Sequence, residues 1–205
     1  MPQEGGVREA GTQRTRQVLL AAAAQTFVEQ GVNAPMRAIA GRAQVGLGTV
    51  YRHFPNRAEL VIAVYRHQID ECVDLAVELA DSPDPRSALS RWADAFVEFL
   101  VTKHGLGAAL QSEDASLHTL HSLMLDKLVP ACGLLIDAAV ARGQLDPSVK
   151  AYVLMRAIGN LCIVGPGYER EDARSMVARL LAGCWLGACL SNRQPACGTV
   201  IIHAG

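Results

Sequence analysis

Between positions 46 and 57 the chain strings together Gly46, Leu47, Gly48, Thr49, Val50, Tyr51, Arg52, His53 and, after a Phe-Pro-Asn break, Arg57. Hydroxyl, phenol, guanidinium and imidazole groups without a carboxylate among them form a donor set suited to phosphate oxygens. The two leading glycines let a backbone come close to an anion, and the partial positive charge at a helix N-terminus favours that approach. Elsewhere the residues that carry chemistry are sparse. His118 and His121 stand one helical turn apart, which is half of a metal site. No carboxylate or thiol pattern completes it, so neither a metal nor a cofactor is expected. The six cysteines form no C-x-x-C and read as small apolar residues of a reduced compartment. A redox-sensing pair of Cys184 and Cys189 is the alternative reading, and nothing nearby lowers a thiol pKa in its favour. Gly-rich phosphate loop, nucleophile elbow, H-E-x-x-H and paired carboxylates are all missing, which argues against an enzyme.

The elements that must position these donors are helices. From Thr12 the pattern turns helical: Leu19, Ala23 and Phe27 recur at i, i+4 and i+8, and Gly31 suits a C-cap. Residues 1–11 hold four Gly or Pro and no periodicity, so a flexible arm is expected there. Pro35 opens a helix of about two turns, Met36 to about Ala43. Gln44-Val45-Gly46 then turns the chain into a third helix, Leu47 to His53, which Phe54-Pro55-Asn56 ends because Pro55 biases Phe54 away from helical geometry. Three helices joined by short turns make a helix-turn-helix, whose last helix fits a DNA major groove. Arg37, at the start of the second helix, adds a further cation.

The run from Met36 to Leu60 closely resembles the DNA-binding signature of the TetR family of regulators, and Leu19-Leu20, Ala22-Ala23, Phe27 and Gly31 stand at that family's spacing. The resemblance covers roughly residues 14–65. It implies phosphate contacts from Thr49, Tyr51 and His53, a close-approach glycine at Gly48, and a further phosphate contact from Arg57. It also implies that Arg37, Leu47, Val50 and Arg52 face DNA or the groove, and that Ile39, Ala40, Val45 and Phe54 form the module's core. Three departures stand out. Gly46 replaces the usual Ser or Thr cap, Leu47 replaces a common Lys, and Ala34-Pro35 replaces a Thr cap on the second helix. Losing that Lys removes about one unit from the salt slope of DNA binding, while Leu47 is suited to a thymine methyl.

Charge supports the division. Residues 1–60 hold seven arginines against four glutamates, a surplus of three, while the whole chain carries −1, leaving about −4 for the remainder. A mildly basic head on an acidic body suits a DNA-binding module joined to something else. Half of the 205 residues are hydrophobic and few are aromatic, enough for a core of helices packed through aliphatic side chains.

The expected fold is all-α with about nine helices: an arm over 1–11, a helix-turn-helix domain over 12–56, a ligand-binding and dimerisation domain over 57–191, and a tail over 192–205. In the body, long helices are expected over 57–80, from Pro85 to about Gly105, and from about Leu117 to Arg142, where Pro130 kinks or splits the helix. Two apolar helices follow, about 147–164 and 170–190, the first opened by Asp146-Pro147 as Asp84-Pro85 opens its own.

The resemblance implies a homodimer through these last two helices, a double-stranded operator as partner, and an unknown, largely apolar small-molecule effector. Trp92, Phe96, His121, Met124, Leu128, Met155 and Asn160 are the candidate pocket residues; core packing explains most of them equally well. Asn160 stands out as a polar residue in an apolar helix. No apolar leader or membrane-length run occurs, so a soluble cytoplasmic protein without a membrane partner is expected. The expected role is a repressor released by its ligand; an activator, and a helical protein that serves only protein partners, are the alternatives.

Overall fold

The computed structural model describes residues 4–109, 115–163, 165 and 167–186, with side chains from 10–100 and from 120 onward within those ranges. Eight helices follow in order: α1 Glu4–Gln30, α2 Met36–Arg42, α3 Leu47–His53, α4 Arg57–Ala80, α5 Pro85–Ala109, α6 Ala115–Ala141, α7 Ala151–Leu161 and α8 Arg170–Cys184. Among the described residues no strand forms; Leu145 with Trp185 and Gly165 with Tyr168 make isolated bridges only.

The ends of these helices have local causes. Gly31 takes φ +79° and donates its N–H to the Phe27 carbonyl, closing α1 as its sequence position implies. Asp84 caps α5 by accepting from the N–H groups of Arg86 and Ser87, both at 3.1 Å. Asn56 caps α4, accepting from the Glu59 N–H at 2.9 Å while its Nδ2 donates to the Glu59 carboxylate at 2.7 Å. Glu169 and Asp172 form a reciprocal capping box on α8.

Four expectations are corrected. α1 begins at Glu4 rather than Thr12, so residues 4–11 are helical where an irregular arm was expected. Extending an existing helix is far easier than nucleating one, and the packed segment beyond Leu19 supplies the nucleus. Pro130 sits inside α6 without splitting it in two, so the described residues form eight helices where about nine were expected; a helix held on both sides tolerates one missing N–H. Pro147 does not open α7. Asp146 instead accepts from the Ser148 N–H at 2.8 Å and its carbonyl from Val149, a turn that delays the helix to Ala151. That helix ends at Leu161, three residues short of the expected limit, and α8 ends at Cys184. The tail over 192–205 and Cys189 lie outside the described residues.

α4 is the spine, packing on α5, α6 and α1. One continuous core runs from Leu19 and Ile39 in the N-terminal module to Val177 and Leu181 in α8. At its centre Trp92 stacks on Phe96 at 5.3 Å, Phe96 on Phe99 at 6.0 Å, and Phe99 meets Tyr65 of α4 at 5.0 Å. The Trp92 Nε1 donates to the Cys72 carbonyl at 2.9 Å, so its one polar atom is satisfied.

Candidate nucleic-acid interface

α2 and α3 are joined by a Schellman turn. The Gln44 N–H reaches the Gly41 carbonyl at 3.2 Å and the Val45 N–H the Ala40 carbonyl at 3.0 Å. Gln44 holds φ 55° at the position where glycine is usual. This turn was anticipated; its left-handed residue was not, because no glycine marks it.

On α3, one face enters the core and the other faces solvent. Val50 is fully buried with Phe54, Ile39 and Ala40, whereas Tyr51, Arg52, Gly46 and Gly48 are exposed and Leu47, Thr49 and His53 half-buried. Tyr51 presents 46 % of its surface to solvent, which is high for a large aromatic. The expectation that Val50 faces the groove is therefore corrected: the helix spends that position on attaching itself to the module. Gly46 caps α3 without a side-chain hydrogen bond, as its replacement of Ser or Thr implies.

The arginines of the module divide by partner. Arg42 pairs with Glu29 and donates to Gln25 at 3.2 Å, joining α2 to α1. Arg57 donates through Nη1 to the carbonyls of Val32 at 2.8 Å and Ala34 at 2.6 Å, pinning the α1–α2 loop to the base of α4. That clamp was not foreseen, since no local signal in the sequence marks which carbonyls a distant arginine will meet. Arg16 lies over the Phe54 ring at 4.6 Å. Arg37 and Arg52 are exposed and enter no ion pair among the described residues.

A second feature lies in the body. Phe96 and Leu100 of α5, His121, Met124 and Leu125 of α6, and Tyr152, Met155, Arg156, Gly159, Asn160 and Ile163 on and just after α7 enclose a cavity of about 250 Å³. Phe96, His121, Met124, Met155 and Asn160 were expected to line a pocket. Trp92 and Leu128 are corrected to core: both are fully buried and absent from the cavity wall. Leu100, Leu125, Tyr152, Arg156, Gly159 and Ile163 were not singled out, because an exposed Tyr or Arg on an amphipathic helix looks like ordinary surface until a neighbouring helix makes it a rim. Met124 also contacts α4, its sulfur lying 3.5 Å from the Tyr65 hydroxyl.

Residues 19–64 match the family model of bacterial regulatory proteins, tetR family. A TetR transcriptional regulator from Streptomyces coelicolor superposes with a TM-score of 0.73 at 28 % identity, covering 84 % of this chain and 99 % of that one. The helix-turn-helix segment of this chain is that of the TetR family. A TetR transcription regulatory protein from Mycobacterium vanbaalenii superposes with a TM-score of 0.67 at 29 % identity, over 87 % of this chain and 99 % of that one. By sequence, the HTH-type transcriptional activator FasR of Mycolicibacterium smegmatis is 36 % identical over 84 residues, which is 40 % of this chain. The match spans only 38 % of FasR's own length.

The matched residues span the latter part of α1, all of α2 and α3, and the start of α4. Among the described residues no group of His, Cys, Asp and Glu is arranged to hold a metal ion; the side chain of His118 lies outside them. No described helix is long and apolar enough to cross a membrane.

Proposed function

We propose that this protein represses transcription by occupying a palindromic operator as a homodimer, and that a small molecule in the α5–α6–α7 cavity releases it. The observation that carries the reading is the divided surface of α3: Val50 anchors it while Tyr51, Arg52 and Gly48 are exposed and Thr49 is half-buried, with no carboxylate partner among the described residues. Tyr51, Thr49 and His53 contact phosphates in this reading, and Leu47 and Arg52 meet base edges. Arg57 positions the module by holding its first loop.

The dimer forms through α7 and α8. Tyr152 and Val153 on α7, Ile163 just beyond it, and Met176 on α8 are exposed apolar residues that support this reading. Tyr152 and Ile163 also line the cavity, so its mouth borders the proposed interface. A ligand there changes the spacing of the two reading heads. Phe96 and Met124 carry the same event inward to Phe99 and Tyr65, on the helix whose first residue is the Arg57 clamp.

Repression is favoured over activation because occupancy of a promoter needs no surface beyond the DNA interface, whereas activation needs a second one for polymerase. FasR is named an activator, so direction is open to experiment. Transcription in vitro from a promoter overlapped by a duplex that the protein itself selects should fall on adding protein. A rise makes the protein an activator, and no change in transcription despite bound DNA overturns the reading.

A further inference from the structure

The chemistry of the cavity wall selects among possible ligands. Its apolar lining comes from Phe96, Leu100, Met124, Leu125, Met155 and Ile163. The polar groups at its edge are Arg156, Asn160, His121 and Tyr152, and no Asp or Glu is among the lining residues. Arg156 is exposed on α7 and makes no ion pair among the described residues, although the chain as a whole carries more acid than base. An always-charged guanidinium beside an apolar cavity is suited to a carboxylate, which it binds through two parallel hydrogen bonds. Asn160 lies one helical turn further along α7, so its amide shares the rim with Arg156.

The size of the ligand follows from the space. A cavity of about 150 Å³ takes a benzene-sized molecule, so about 250 Å³ takes on the order of ten non-hydrogen atoms. Part of that space exists because position 159 is glycine in mid-helix, where alanine is normally better by about 1 kcal/mol. A Cβ built there meets nothing within 4 Å.

Resting on the reading of this cavity as the effector site, we propose that its ligand is a small amphipathic monoanion, an apolar chain or ring of about eight carbons ending in a carboxylate that Arg156 and Asn160 hold.

Calorimetric titration of the full-length protein with octanoate, 1-octanol and octylammonium tests this, because the three share a tail and differ in head charge. Octanoate should bind best, with octylammonium at least tenfold weaker. Arg156→Gln should weaken octanoate at least tenfold and leave 1-octanol unchanged. Gly159→Leu, which fills the space without touching the charge, should weaken both. Equal binding of octanoate and octylammonium, no effect of Arg156→Gln, or no binding of any probe overturns the proposal. DNA affinity with and without each probe separates the two readings. Octanoate that binds through Arg156 without altering DNA affinity leaves the ligand chemistry standing and defeats the effector reading. Release of DNA by 1-octanol with no preference for octanoate does the opposite. Sedimentation of Arg156→Gln checks that the dimer is intact; a variant that dissociates, with octanoate binding lost only in step with the dimer, assigns Arg156 to the interface and also overturns the proposal.

Discussion

Tyr51 and Val50 are adjacent in α3 and serve its two faces. Tyr51→Ala removes an exposed phenol and should leave stability unchanged while weakening binding to every DNA sequence by about 1.5 kcal/mol per half-site, roughly tenfold; titrations across a salt series check this, and unchanged affinity removes Tyr51 from the interface. Val50→Ala should do the reverse. Deleting two buried methyl groups and leaving a void destabilises the protein by about 2 kcal/mol in urea unfolding, with DNA affinity per folded molecule preserved. Gln44 gives a third test, since its φ of 55° is unfavourable for a side chain. Gln44→Gly should raise stability by about 0.5–1 kcal/mol, measured as a higher urea midpoint with an unchanged slope. At this scale, the donors on α3 were legible in the sequence because their order is dense and local. The inward turn of Val50 was not, because a seven-residue helix is too short for its period to mark a buried face unambiguously.

Arg57 belongs to the scale of elements, where one side chain fixes the geometry between two helices and a loop. Arg57→Met keeps the aliphatic stem and removes both hydrogen bonds to the Val32 and Ala34 carbonyls. The expected loss is about 1–3 kcal/mol, with faster amide exchange at the start of α2 and weaker DNA binding even at low salt. A change in salt slope alone, with no change in exchange, would make Arg57 a phosphate contact instead. Glu98 is a weaker link of the same kind. It joins α5 to α8 through Arg170 at 3.4 Å and through Arg174. All three side chains are more than a third exposed, so solvent screens the pair to a small contribution. Helix existence was readable from periodicity and from Gly31, Pro55 and Asp84-Pro85. The limits of α1 and α7 were not, because extension of a packed helix and the competing Asp146 turn are decided by neighbours rather than by propensity.

At the scale of the whole molecule, the core carries thiols that burial keeps protonated. Desolvation pushes Cys72 and Cys132 up from an ordinary value of 9.0 to about 12, with Glu71 adding to the effect at Cys72. A thiol with a higher pKa folded than unfolded stabilises the protein fully below the unfolded value. That contribution declines as pH climbs from about 9 toward 12. Stability measured in urea should therefore fall above pH 9, and neither thiol should react with a disulfide reagent at pH 8 while the protein is folded. The sequence showed an all-helical body with apolar last helices. Of the residues that line the cavity, the sequence singled out Phe96, His121, Met124, Met155 and Asn160. Trp92 and Leu128 have the same character and fill the core instead, a distinction set by how three helices are spaced. The central claim, that α3 and its symmetry mate read DNA, is tested most directly by selecting bound duplexes from a random pool at near-physiological salt. The account predicts enrichment of one two-fold-symmetric site, lost when Tyr51 and Arg52 are both changed to Ala in a protein that remains folded and dimeric. A folded, dimeric wild-type protein that enriches no sequence, with and without octanoate, would contradict it.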